Sequence, residues 1–530
     1  MPPDAVIIGS GPNGLVAANL LADQGWSVQV VEAADAPGGA VRSAELIEPG
    51  FTNDLFSAFY PLGAASSVLA ELGLERHGLR WCHAPLVLAH PTADGTCPVL
   101  SRNIDETTAS LDSYHRGDGD AWRQMMQRWD EVSGPLVDAL MSPFPPVRAG
   151  ARLAASLPVR EWARFARFML LPIRRMAEEE FHSDQARRLL AGLALHTDLG
   201  PEATLSGMFG WLLGCLGQTV GFPVPEGGAG ALSMAMVRRL ESAGSSVLCD
   251  APVDEVIVRK GRAVAVRLAD GREISAGRAV LADVSAPALY GGLVRAEHLP
   301  TDLLEDLRRF HWDNGTVKVD WTLDAPIPWQ AEPARRAGTV HVTEGVDALT
   351  VFASELARGL VPARPYLLVG QQSMTDPTRQ PAGRETAWAY THVPRTVRGD
   401  SGNEISGRWD ADDEAAIVAR MEAEIELLAP GFGSTIRGRH VFTPPSFEAT
   451  DHNLSFGAIN GGTTQLHQQL VFRPLPGRSR AETPVKDLYL ASASAHPGGG
   501  VHGAAGANAA RAAIAGDRRA RVATAVRRRG

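Results

Sequence analysis

The stretch VIIGSGPNG, residues 6–14, constrains the fold more than any other part of this 530-residue chain. Ala5-Val6-Ile7-Ile8 is a short apolar run rich in β-branched residues, the pattern of a parallel strand buried on both faces. Gly9-Ser10-Gly11-Pro12-Asn13-Gly14 follows with the G-x-G-x-x-G spacing of a dinucleotide-binding turn. The first glycine permits the tight turn, the second lets backbone approach a pyrophosphate, and the third lets the next helix pack on the strand. Leu15 to Gln24 reads as that helix, with Gly25 as its stop. Residues 27–31 read as a second strand, and Glu32 at its end lies close to the ~20-residue offset at which an acid binds a ribose hydroxyl. An acid there favours a free 2′-hydroxyl, which leaves FAD or NAD and disfavours NADP.

Composition narrows the class. With 45% hydrophobic and 21% charged residues the chain is of globular type, long enough for two or three domains. A net charge of −9 argues against nucleic acid as the main partner. No apolar run approaches the roughly 20 residues that span a bilayer, and the few residues before Asp4 leave no room for a signal peptide. Cys82, Cys97, Cys215 and Cys249 form no tight pair, so neither a redox dithiol nor a zinc site is expected. The expected location is cytoplasmic.

The segment AADAPGGAVRSAEL begins just after Glu32. Its doublet Gly38-Gly39 and Ser43 resemble the second glycine motif of the flavoprotein superfamily that includes glutathione reductase and the amine oxidases. An arginine usually follows that doublet directly; here Ala40 does, and Arg42 comes two residues later as the candidate pyrophosphate contact. A domain that binds only NAD has no use for the doublet, so the expected cofactor is FAD.

A second glycine-rich stretch, Gly498-Gly499-Gly500-Val501-His502-Gly503, also follows a strand-like run, residues 487–493. It cannot build its own nucleotide domain. Asp517 comes too soon after it, and the arginines from Arg518 to Arg529 suit a solvated tail. It does offer a helix N-terminus, which favours electron-rich oxygens. The economical reading is one cofactor held by both ends of the chain, with the first loop on the pyrophosphate and the last on the flavin.

HPGGGVHGAAGANAA, preceded by TPVKDLYLASASA, resembles the C-terminal signature of the phytoene (carotenoid) desaturase family. The nearest branch holds desaturase-type carotene ketolases and phytoene-dehydrogenase-related, pyridine-nucleotide-disulfide-domain-like oxidoreductases. QLVFRPLPG and VPEGGAGALSMAMVRRLESAG resemble that branch too. The resemblance implies an α/β fold with a discontinuous Rossmann FAD domain, residues 1–65, 225–290 and 478–530. A mixed α+β substrate domain would comprise 66–224 and 291–477. It implies that Val253 backbone meets the adenine, that Gly499, Gly500 and Val501 hold the flavin end, and that Lys318 lies near the flavin. His496 and His502 flank the last glycines and are candidates for proton transfer; His196 is a candidate cavity residue.

Two helices stand out in the substrate segments. Ala415, Val418, Met421, Ile425 and Leu428 follow a 3.6-residue period behind Asp410 or Asp412 as cap. In residues 159–176, Trp162, Phe165, Met169, Ile173 and Met176 share one face while arginines occupy the rest, a pattern that suits peripheral membrane contact, with Pro172 as a kink. The implied activity is FAD-dependent removal of hydride from a small apolar, polyene or isoprenoid-like substrate. Two other readings stay open. One is C–N oxidation as in amine oxidases, to which Trp321 and Trp388 would contribute an aromatic cage. The other is a non-catalytic carrier role of the escort or GDP-dissociation-inhibitor type.

Overall fold

Strand β1 (Ala5–Ile8), helix α1 (Pro12–Ala22) and strand β2 (Val28–Val31) form the first βαβ unit of the computed structural model, which describes residues 2–527. Pro12 sits at the first turn of α1, where its missing N–H costs nothing. All four β1 residues are buried, as expected of a central parallel strand.

The chain then leaves this unit for β3 (Leu86–Ala89), β4 (Val99–Leu100) and a helical block: α2 (Asp118–Met141), α3 (Trp162–Leu170), α4 (Ile173–Glu180), α5 (Asp184–Ala194) and α6 (Ser206–Thr219). The amphipathic stretch over 159–176 is interrupted at Pro172, where the kink was expected, and the interruption is a full break at Leu171-Pro172, because proline lacks the N–H and restricts the residue before it. Ile173 and Met176 are buried in the core around Trp211, and Phe165 and Met169 pack against it. The arginines meet acids of the same block and its neighbours: Arg167 pairs with Glu179 at 2.7 Å, and Arg174 with Glu202 at 2.7 Å and Asp347 at 2.8 Å.

The chain returns through α7 (Gly230–Ser242), β5 (Ser246–Leu248), β6 (Val253–Arg259), β7 (Arg262–Leu268), β8 (Glu273–Ser275) and β9 (Ala279–Ala282). It leaves again through β10 (Gly315–Leu323), β11 (Ala337–Val342), β12 (Leu367–Gly370), β13 (Glu385–Val393), α8 (Ala411–Leu428) and β14 (Ile436–Phe442). It ends with β15 (Leu488–Leu490) and α9 (Ala504–Arg527).

Two sheets organise these pieces. A five-stranded parallel sheet has the order β15-β9-β1-β2-β5, so strands from three separate stretches of sequence lie side by side. The antiparallel β6-β7-β8 sheet adjoins it. A seven-stranded sheet has the order β14-β10-β13-β12-β11-β3-β4 and comes entirely from the two excursions. Along β10, Val317, Val319 and Trp321 face the core that includes Ile417, Met421 and Ile425 of α8, while Thr316, Lys318 and Asp320 face the other way. Asp410 caps α8, accepting from the Asp413 N–H at 3.2 Å; Ala415 is exposed, and Ile417 takes the core position instead.

Helix α9 crosses α1 at close range. A Cβ at Gly506 would fall 1.9 Å from the Asn13 carbonyl oxygen, a contact only glycine permits. The arginines from Arg518 onward continue α9 rather than forming a tail, and Arg518 donates to Gln24 at 3.1 Å. Arg528 and Arg529 lie outside the described residues.

A cavity shared by the two ends of the chain

Between the two sheets lies a cavity of about 840 Å³, near the upper end of the range for small-molecule and cofactor sites. Gly9, Gly11, Pro12 and Asn13 wall one end of it, and Gly499, Gly500 and Val501 enter from the last loop. Both termini of the sequence therefore meet one space.

The first loop is built against strands on either side. Gly11 is the N-cap of α1, and no side chain caps the helix, so its positive end opens to the cavity. Glu32 accepts from the Ser10 N–H at 2.8 Å and the Ser10 hydroxyl at 2.6 Å, and its other oxygen accepts from the Ala34 N–H at 2.9 Å. These bonds fix the carboxylate on the cavity wall, with accepting capacity left for a ribose hydroxyl. Gly38 stands behind the wall, its N–H donating to the Ser10 carbonyl at 3.1 Å. Gly39 reaches the cavity and packs on Gly11, where a Cβ would come within 2.9 Å of the Gly11 Cα. Arg42 lines the cavity, held by bonds to the carbonyls of Gly39 at 3.0 Å and Thr450 at 3.2 Å. Val253, at the start of β6, lines the cavity as well.

Asp283 is the residue that sequence reading missed here. It follows β9, and its carboxylate accepts the Gly14 N–H at 2.7 Å. A Cβ at Gly11 would fall 2.6 Å from Asp283 Oδ2, and one at Gly9 would fall 2.8 Å from the Asp283 carbonyl oxygen. The glycine pattern is thus demanded from behind by this aspartate, whatever the loop holds on its cavity side. Burial pushes Asp283 up to about 7; the Gly14 N–H pulls the other way, and the charges of Asp451 and Glu32 add to the rise. The available signal was an acid ending a strand in register with the first one: Ala282 pairs Ile8.

The two histidines flanking the last glycines do not reach the wall. His502 Nδ1 accepts the Ala504 N–H at 3.1 Å and caps α9, while its carbonyl accepts from the Ser66 hydroxyl at 2.7 Å. The His496 ring packs edge-on against Phe144. Burial holds both imidazoles down to about 4. Neither side chain lines the cavity, which corrects the expectation of proton transfer: the loop turns its backbone, not its imidazoles, to that space.

Lys318 does line the cavity, although it is only 2% exposed. Its Nζ donates to the Asp54 carbonyl at 2.8 Å and pairs with Asp320. A lysine has three N–H donors, so one remains for the cavity. Asp54 belongs to a second buried group absent from the sequence reading. Its carboxylate pairs with Arg379 at 2.6 Å, and Arg379 pairs with Asp376 at 3.2 Å. Asp376 accepts from the Gly227 N–H at 2.7 Å, so this group ties the loop before α7 to the substrate segments.

Beyond Lys318 the walls change character. Phe59, Phe209, Leu212, Leu213, Phe222 and Trp388 line the space, with His196 and Tyr390 among them. Trp321 lies on the opposite face of β10, its Nε1 bonded to Glu422 at 2.8 Å, and so contributes nothing to an aromatic cage.

The residues fit a long dinucleotide. An uncapped helix N-terminus, a glycine cradle and a fixed carboxylate stand at one end, and backbone from the last loop stands farther along. Asn13 Oδ1 and Asn460 Nδ2, buried on cavity-lining residues, have no protein partner among the described residues and are free to bond such a ligand.

Comparison with known proteins agrees. A family model described as flavin containing amine oxidoreductase matches residues 13–514. The mouse pyridine nucleotide-disulfide oxidoreductase domain-containing protein 2 is 29% identical, over 96% of this chain and 92% of that protein. A phytoene desaturase (neurosporene-forming) of Cereibacter sphaeroides is 26% identical, over 97% of this chain and 94% of that protein. The structure of putrescine oxidase bound to putrescine superposes with a TM-score of 0.60 at 18% identity, covering 97% of this chain and 98% of that one, a likeness of fold.

Proposed function

Because this chain belongs to the flavin containing amine oxidoreductase family and is an FAD-dependent oxidoreductase, we propose that it takes hydride from an apolar, polyene or isoprenoid-like substrate. When bound, FAD supplies the hydride acceptor, and the protein supplies orientation and a dry site. Gly9, Gly11 and Asn13 would hold the pyrophosphate, Glu32 a ribose, Val253 the adenine, and Gly499 to Val501 the flavin end. Lys318, fixed by Asp320 and the Asp54 carbonyl, would keep one N–H directed at the junction between cofactor and substrate.

One observation carries the substrate class. The acids that line the cavity are Glu32, Asp283 and Asp451, and all three belong to the nucleotide end. The substrate half, among the described residues, offers aromatic and aliphatic walls with no carboxylate to meet an ammonium group. The name of the Cereibacter relative, a desaturase acting on phytoene, supports the same reading. C–N oxidation remains the second reading. It is favoured by Trp388 and Tyr390, whose rings stack 5.9 Å apart at 19°, as the start of an aromatic cage. Peripheral membrane contact through 159–176 belongs to the proposal, supported by exposed Val159, Trp162 and Leu170.

The test is anaerobic mixing of the FAD-loaded protein with carotenes and isoprenoids on one side and primary amines on the other. Bleaching of the flavin band by the apolar panel alone is the expected result. Bleaching by amines alone would replace this reading with the second.

A further inference from the structure

A row of residues crosses the seven-stranded sheet at the substrate half of the cavity, which Lys318, Tyr390 and Leu368 line. His341, Leu368, Tyr390 and Lys318 stand directly opposite one another on β11, β12, β13 and β10, so their side chains share one face of the seven-stranded sheet. Three strand spacings of ~4.8 Å separate the ends, which puts His341 roughly 14 Å from Lys318. His196, just beyond α5, closes the far end: its Nε2 lies 3.0 Å from His341 Nε2.

Only one of these two nitrogens carries a proton. His341 Nδ1 is buried with no partner among the described residues, pressed on Gly192, where a Cβ would fall 2.3 Å from it. A buried N–H left without an acceptor is rarer in folded proteins than an unused acceptor. His90, edge-on to His341 at 5.7 Å, has its own Nε2 engaged with the Thr343 carbonyl at 3.2 Å and gives His341 no help. His341 therefore holds its proton on Nε2 and donates it to His196. That assigns the proton of His196 to Nδ1, which has no protein partner among the described residues, on a side chain that lines the cavity. Burial keeps both rings neutral: it holds His196 down to about 3 and His341 well below the usual histidine range.

We propose that His196 Nδ1–H selects a substrate whose otherwise apolar body carries one hydrogen-bond-accepting oxygen, a carbonyl or a hydroxyl, at the end remote from the bond that is oxidised. A plain hydrocarbon would strand this donor against carbon, and a site built to bond an oxygen rejects the analogue that lacks it. This inference rests on the apolar-substrate reading above and narrows it.

The experiment titrates the FAD-loaded protein anaerobically with farnesene, farnesol and farnesal, which share one skeleton and differ in the oxygen, and reads dissociation constants from the flavin spectrum. Farnesol and farnesal should bind about tenfold tighter than farnesene. His196→Phe should bring the three within about twofold without weakening farnesene, while His196→Gln, which still donates, should keep about threefold of the preference. Should His196→Phe fail to hold FAD, the fall from about tenfold to about threefold in His196→Gln carries the comparison. Equal binding of the three by the parent protein, or a preference that survives His196→Phe, overturns the inference and leaves the apolar-substrate reading intact. No response to any of the three, at full FAD content, overturns both.

Discussion

Asp283 Oδ2 accepts the backbone N–H of Gly14 at 2.7 Å across 269 residues of sequence. The bond ties the end of β9 to the first turn of α1 and places a buried carboxyl directly behind the loop that would hold a pyrophosphate. The tightness of that loop, its glycine pattern and its response to pH all follow from this one contact.

Asp283 is pushed up to about 7 by burial, above an unfolded value near 4. An acid with the higher value in the folded state binds its proton more tightly when folded. Its contribution is therefore full below pH ~4 and is lost as the pH rises to about 7. Asp313, pushed up to about 6 by burial, slopes the same way. Asp283→Asn, which still accepts from Gly14, should flatten the fall in melting temperature between pH 5 and pH 8, by the equivalent of a few kcal/mol at most. An unchanged slope would locate the titration elsewhere.

Arg379 lies between Asp54 and Asp376, with the Arg379 and Asp54 side chains at 0% exposure. Replacing it by Met leaves two buried carboxylates without their cation. Loss of one partner from such a group costs about 3–5 kcal/mol. Arg379→Met should lower the urea midpoint accordingly, whereas Arg384→Met, on the exposed Asp324, should move it by less than ~1 kcal/mol.

Gly506 packs α9 onto the first turn of α1, leaving no room for a side chain. Gly506→Val places a side chain on the Asn13 carbonyl, 1.9 Å from the Cβ position. Overpacking of this kind costs about 1–3 kcal/mol or more, and it acts on the turn that would hold the cofactor. The purified variant should carry less FAD per chain than the parent, and the absorbance ratio at 450 and 280 nm measures it.

Lys318→Met removes the cation that pulls Asp320 down, and burial then favours the protonated acid. The variant should keep its FAD, because the lysine is not among the residues that hold the nucleotide end, and its reduced flavin should reoxidise about tenfold more slowly. Stopped-flow mixing with oxygen reads the rate. An unchanged rate would leave Lys318 as a structural partner of Asp320 only.

Local sequence carried much of the nucleotide end. Strand, turn, helix and Glu32 were legible because each depends on neighbours within a few residues: β-branched runs, glycines at fixed offsets, a proline at the first helical turn. The α8 helix was legible for the same reason, although its phase was off by two positions at Ala415. His496 and His502 show where such reading stops. Their place beside the last glycines suggested chemistry, but the direction of a side chain is set by the helix the loop enters, and His502 turns inward to cap it. The stretch over 159–176 shows a related limit: its interruption at Pro172 was legible, but the destination of its apolar face was not, and most of that face went into a core supplied by α5 and α6.

What the sequence alone determined was the nucleotide-binding unit and, through it, the class of cofactor, since a pyrophosphate turn is a local object fixed by steric limits on a few consecutive residues. Tertiary structure alone decided the rest. Asp283 behind Gly14, Arg379 on Asp54, and His196 against His341 are pairs separated by a hundred residues or more. They are created by strand order and register, and no periodicity in the chain encodes which distant strand will lie alongside.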